Sequence, residues 1–178
     1  MRTVYLEKNI PQALSEAIMK EKRGEHPFGD AGQLILLGLF VVVWGGDSFF
    51  LHWSTFLSGW VPQPIRMALL GLALLITLIL VWTGHVVISG KERPNQVVDT
   101  GAFRYVRHPL YLAALLAYVG TTISSLSLFS FALWIPIFVF YNYLASYEEK
   151  LLEARFGEAY REYERRTGKW LPRVWRRG

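Results

Sequence analysis

Cysteine is missing altogether from the 178 residues. Its absence excludes a disulfide framework, a thiolate nucleophile and any cysteine-based metal centre. Histidine is scarce too. His26, His52, His85 and His108 are the four, no two stand at a ligand spacing such as i, i+4, and no metal site is expected. Charged residues make up only 19% of the chain, while hydrophobic residues reach 52% and gather into long runs. The first 33 residues hold no apolar core, so no cleavable signal peptide is expected. There is no internal repeat and no low-complexity tract. The net charge of +5 sits beside apolar runs, which favours a membrane surface over nucleic acid as partner.

What the chain does have is four apolar stretches. Residues 1–33 place Leu14, Ala17 and Ile18 at helical spacing among five basic and five acidic residues, which predicts an amphipathic N-terminal segment on the membrane. Residues 34–53, 65–89, 110–126 and 128–147 then read as transmembrane spans. About 20 residues at about 1.5 Å each match a hydrocarbon core of about 30 Å. Asp47, past the midpoint of the first, reads as an acid reaching the far interface, and Trp53, Phe56 and Trp60 follow as an aromatic belt. His85 reads as a histidine hydrogen-bonded at the opposite interface. Ser124, Ser125 and Ser127 predict a tight turn, and Pro136 predicts a kink in the last span. Phe156, Tyr160 and Tyr163 share one face of an amphipathic helix after the spans.

Charge placement tests this topology. Of the 19 basic residues, 18 fall in the N-terminal segment, the second connection and the C-terminal tail, and only Arg66 lies elsewhere. Four spans put those three segments on one face, the cytoplasmic one by the positive-inside rule, whereas three or five would split them. The expected fold is therefore an all-α integral membrane protein forming a single domain over residues 1–178. It has four transmembrane helices, the last two a tight hairpin, plus the amphipathic N-terminal segment and a cytoplasmic C-terminal helix. The expected setting is a prokaryotic cytoplasmic membrane with both termini inside.

The hairpin brings together residues far apart in sequence. His108 opens the third span and Glu148 and Glu149 close the fourth, so residues 90–109 and 148–178 meet at one face. Pro109 suits the first turn of a helix, whose N–H groups and dipole favour an anion such as a carboxylate. Arg107 and His108 add donors beside it, and Glu148 and Glu149 favour a cation. One pole for a carboxylate and one for an ammonium suits a zwitterion such as the amino-acid part of S-adenosylmethionine. Phe103, Tyr105 and Tyr111 supply rings for an adenine or a sulfonium. Taken singly, the Arg-His-Pro run also reads as an interfacial basic flank and the paired acids as a solvated helix surface. Their convergence at the ends of one hairpin is what singles them out.

These residues also carry a family resemblance. Val97-Val98-Asp99-Thr100-Gly101, Phe103, Arg107-His108-Pro109 and Tyr111, then Glu148-Glu149 with Phe156-Gly157, Tyr160 and Tyr163, resemble the isoprenylcysteine carboxyl methyltransferases. The membrane phospholipid methyltransferases share the pattern. The resemblance spans roughly residues 90–172 and implies an integral membrane methyltransferase using S-adenosylmethionine. It implies cofactor contacts from Gln96, Val97, Val98, Phe103, Arg107, His108, Pro109, Tyr111, Ala113, Glu148 and Glu149, with His108, Glu148 and Glu149 also as catalytic candidates. Ala113 stands where the family commonly has glycine. Residues 138–147 lack the arginine that isoprenylcysteine enzymes carry before the acids, and Asn142 is the main polar residue there. The implied acceptor is accordingly a lipophilic molecule of unspecified head group: an isoprenoid, a phospholipid amine or a small hydrophobic molecule.

Two other classes compete. Membrane sterol reductases using NADPH carry a similar His-Pro-x-Tyr motif, but typically have asparagine where this chain has Leu110, and lack the paired acids followed by Phe-Gly. A non-enzymatic membrane protein such as a small transporter would place polar groups or breaks mid-span, where this chain has few.

Overall fold

The computed structural model describes residues 29–88 and 96–173; residues 1–28 of the expected amphipathic segment lie outside the described residues. Five α-helices follow in order: α1 (Gly29–Gly45), α2 (Gln63–Ile88), α3 (Pro109–Ser125), α4 (Leu128–Phe156) and α5 (Glu158–Arg166). Among the described residues there is no strand, only an isolated parallel bridge between Val106 and Gly168. Among the described residues, three helical stretches are long and apolar enough to cross a membrane: Gly29–Leu51, Gln63–Val86 and Leu128–Phe156. The apolar helix Pro109–Ser125 is shorter, with 17 residues, about 25 Å.

The core joins α1, α3 and α4. Phe40, Leu115, Tyr118, Ile137 and Tyr141 are buried together, with Phe40 edge-on to Tyr118 at 4.7 Å. Small residues allow the close crossings. A Cβ on Gly32 of α1 would lie 2.3 Å from the Phe140 ring, and one on Gly120 of α3 would lie 2.6 Å from the Ala73 Cβ of α2. α2 lies outside this core, packed along α3. Thr77 donates to the Ala113 carbonyl at 3.1 Å, which uses a carbonyl one small side chain leaves accessible. Arg66 donates to the Ser124 carbonyl at 2.6 Å and so satisfies a carbonyl at the C-terminal end of α3.

The far end holds what hydropathy alone does not show. After Gly45, α1 loosens into a π-type turn over Gly46–Leu51, ended by His52 in the left-handed region (φ 54°). The turn swings Asp47 inward, where it is 2% exposed rather than solvated at an interface. It accepts from the Ser54 N–H at 3.0 Å, the Ser54 hydroxyl at 2.5 Å and the Ser127 hydroxyl at 2.6 Å. Ser127 in turn caps α4 by accepting from the Ser130 N–H at 3.2 Å. The hairpin turn is made by Leu126, left-handed at φ 53°, and Ser127, with Ser124 and Ser125 still helical.

Pro136 does not interrupt α4, which continues for 29 residues, about 44 Å. That exceeds a hydrocarbon core of about 30 Å, so the helix carries Glu148 and Glu149 past the end of its apolar stretch. The amphipathic segment expected after the acids is split. Gly157 adopts φ 55°, a conformation glycine takes without strain, and it separates α4 from α5. Tyr160 and Tyr163 remain on the buried face of α5, and the chain after it folds back towards the loop before α3.

Candidate functional site

The site is built where that fold-back meets the two inner ends of the hairpin. Pro109 begins α3, and His108 stands just before it with no side-chain cap on the helix. The imidazole turns towards α4 instead. Its Nε2 lies 3.1 Å from Glu149 Oε1, and its Nδ1 lies 3.6 Å from Glu148 Oε2. The shorter contact identifies Nε2–H as the donor in the neutral ring. Burial pushes the His108 pKa below its ordinary value, against the opposing pull of Glu149. Tyr111, one turn on, stacks parallel to this ring at 5.7 Å and donates its hydroxyl to Glu148.

Arg107 binds the three segments together. Its Nε donates to Glu149 Oε1 at 2.9 Å, its Nη1 to the carbonyls of Glu164 and Thr167, and its Nη2 pairs with the Glu164 carboxylate at 3.1 Å. Its backbone N–H donates to the Gly168 carbonyl at 2.9 Å. The planar five-donor fork of arginine suits this many-sided contact, and a lysine could not reproduce it. Glu149 receives a further cation, Lys169, whose Nζ lies 3.3 Å from Oε2 and donates to the Ser146 hydroxyl at 2.7 Å. The two poles expected to face each other across a gap are thus directly paired, Arg107 to Glu149.

The structure brings Arg107, His108, Tyr111, Glu148 and Glu149 into one cluster. Asn142 joins it through Trp170, whose Nε1–H donates to Asn142 Oδ1 at 3.2 Å while its ring tilts against His108 at 6.0 Å. The Phe103 carbonyl accepts from the Tyr163 hydroxyl at 2.7 Å, which fastens the loop before α3 to α5 and does not bring the Phe103 ring into the cluster's contacts. Pro109 and Ala113 are buried parts of α3, Ala113 against α2. Gln96 is exposed, and Val97 and Val98 are half-buried at the edge of the described loop. His85 is exposed near the end of α2. Sequence reasoning missed Lys169, Trp170, Glu164 and Thr167. The basic–aromatic pair Lys169-Trp170, directly after the break at Thr167-Gly168, was the available signal.

Comparison with known proteins adds to this geometry. The family model described as Phospholipid methyltransferase matches residues 65–159, slightly more than half the chain. A protein-S-isoprenylcysteine O-methyltransferase of Schizosaccharomyces pombe is 30% identical over 95 residues, covering 51% of this chain and 39% of that protein. The Saccharomyces cerevisiae protein of the same name is 33% identical over 93 residues, covering 49% and 37%. A methanethiol S-methyltransferase of Pseudomonas deceptionensis is 34% identical over 143 residues, covering 64% and 53%. The chain spans about half or less of the length of these curated relatives. No solved structure matches it.

Proposed function

The chain belongs to the phospholipid methyltransferase family, and from that premise we propose that it transfers a methyl group from S-adenosylmethionine to a lipophilic acceptor at the cytoplasmic membrane face. The observation that carries the reading is the buried cluster of Arg107, His108, Glu148 and Glu149, which lies within the matched residues and gathers both poles of a zwitterion site. Four crossings, α1 to α4, keep the basic segments on that one face.

The donor set fits the cofactor. The N-terminal turn of α3, beside the cationic Arg107, suits its carboxylate, and Glu148 and Glu149 suit its ammonium. Phe103, Tyr111 and Trp170 present rings to an adenine or a sulfonium, and Gln96, Val97, Val98, Pro109 and Ala113 shape the wall by family position. S-adenosylmethionine, when bound, supplies a methyl group already activated on a sulfonium sulfur. The protein's task is therefore to align the acceptor and exclude water, for which the half-buried Tyr111 and Trp170 rings in contact with the buried His108 are suited. An amine or thiol acceptor must also lose a proton. His108 Nδ1 is the atom placed to take it, since Nε2–H is held by Glu149, and the imidazolium so formed lies between two carboxylates. Asn142 holds Trp170 in place for this arrangement.

Calorimetry on the detergent-solubilised chain, with S-adenosylmethionine and S-adenosylhomocysteine, tests the reading. Binding of both is expected; binding of neither would sink it. Mass spectrometry of a lipid extract incubated with the protein and isotope-labelled S-adenosylmethionine would identify the acceptor.

A further inference from the structure

Asn142, Ser146 and Glu149 stand at i, i+4 and i+7 on α4, so they form one stripe along its inner end. The chain after α5 lies along that stripe. Trp170 donates its Nε1–H to Asn142 Oδ1 at 3.2 Å, and Lys169 donates to the Ser146 hydroxyl at 2.7 Å. The Lys169 Nζ also stands 3.3 Å from Glu149 Oε2. The two oxygens of Glu149 are thus divided. Oε1 takes Arg107 at 2.9 Å and His108 at 3.1 Å, while Oε2 takes the lysine. The two cations differ in how firmly they are held. The Arg107 side chain is 8% exposed and is also anchored by Glu164 and Thr167. The Lys169 side chain is 20% exposed, and its other hydrogen bond is to a neutral hydroxyl.

A lysine head is a primary alkylammonium, the same kind of group as the ammonium of an amino acid. We propose that Lys169 is a built-in stand-in for the cofactor's ammonium, holding Glu149 Oε2 until the cofactor displaces it. The proposal rests on the reading of the cluster as an S-adenosylmethionine site, and adds a competitor carried by the chain itself. Two ammonium groups cannot share one carboxylate oxygen in a half-buried site without strong repulsion. The lysine is the one to leave. Its four-carbon stem is flexible, while Trp170 and the Gly168 carbonyl fix the backbone on either side of it. S-adenosylmethionine and S-adenosylhomocysteine share the ammonium, so Lys169 weakens both, and its return to Glu149 favours release of the spent product.

Calorimetry on the full chain in detergent tests this with three ligands: S-adenosylmethionine, S-adenosylhomocysteine and methylthioadenosine. The third keeps the adenosine and the sulfur but lacks the amino-acid group. Lys169→Met should bind the first two about tenfold tighter than the unaltered chain, and methylthioadenosine equally well. Weaker or unchanged binding of the first two by folded Lys169→Met would overturn the proposal. A second measurement needs no variant. Mass spectrometry after brief acylation of lysines should show Lys169 reacting faster when S-adenosylhomocysteine saturates the chain, and no faster with methylthioadenosine. Protection or no change under S-adenosylhomocysteine would show that the lysine is not displaced, and would equally overturn it. The two readings fail differently. Binding of neither S-adenosyl compound to either form strikes at the cofactor site itself and at this proposal with it. Binding without a gain in Lys169→Met strikes at Lys169 alone.

Discussion

Asp47 at the far end of the bundle and Glu149 at the site end are both carboxylates withdrawn from solvent, and they are satisfied in opposite ways. Asp47 is held by neutral donors, the hydroxyls of Ser54 and Ser127 and the backbone N–H groups of Trp53 and Ser54, all from the turns it joins. Glu149 is held by Arg107 and His108 from the loop before α3 and by Lys169 from the chain after α5. The neutral set needs no ionic partner and serves to cap and fasten. The ionic set is a balance of charges that another charged group can enter. A fold can thus bury one acid among neutral donors that hold a helix end and set another among charges, where the proposed cofactor's ammonium would enter.

The comparison can be broken most forcefully at Glu149. Glu149→Ala leaves the 8%-exposed Arg107 side chain with only the more exposed Glu164 carboxylate and should cost about 3 kcal/mol, read by thermal unfolding in detergent, with loss of S-adenosylmethionine binding. Asp47→Ala strands two hydroxyls and two N–H groups and loosens the α4 cap. It should cost about 2–3 kcal/mol while leaving cofactor affinity nearly unchanged, and a large affinity loss would show that the two ends are not separable. Tyr111→Phe removes one hydrogen bond to a carboxylate, about 1.5 kcal/mol, and should weaken cofactor affinity more than stability. The smallest effect concerns pH. His108 has a lowered pKa in the folded chain, so the unfolded state binds more protons as pH falls below about 6.5, and stability is lost in that window. His108→Gln should flatten the dependence there, whereas Asp47→Ala should leave it in place.

The parts of the fold legible in the sequence are those with a local signature. The apolar runs place the helices, Pro109 places the start of α3, and the clustering of basic residues puts Arg107, His108, Glu148 and Glu149 at one face. The serines near 124–127 mark the turn, though the strained position falls on Leu126. What could not be read are pairings with no periodicity to announce them. Asp47 meets Ser127 across 80 positions, and Arg107 reaches Glu164 and Thr167 only because Gly157 lets the chain double back. A π-type turn also has no residue signature of its own; its result, an inward-facing acid, is visible only once the turn is built. Lys169 and Trp170 were overlooked for the same reason, since their partners are set by the fold-back and not by their neighbours.

The bond from the Arg107 N–H to the Gly168 carbonyl carries a consequence for biogenesis. Arg107 is synthesised well before Glu164, Thr167 and Gly168, which fix its guanidinium and its N–H. The cluster is therefore completed only after α5 has been made. A chain ended between Gly157 and Thr167 would have every helix of the core and none of the Thr167 and Gly168 carbonyls that hold Arg107.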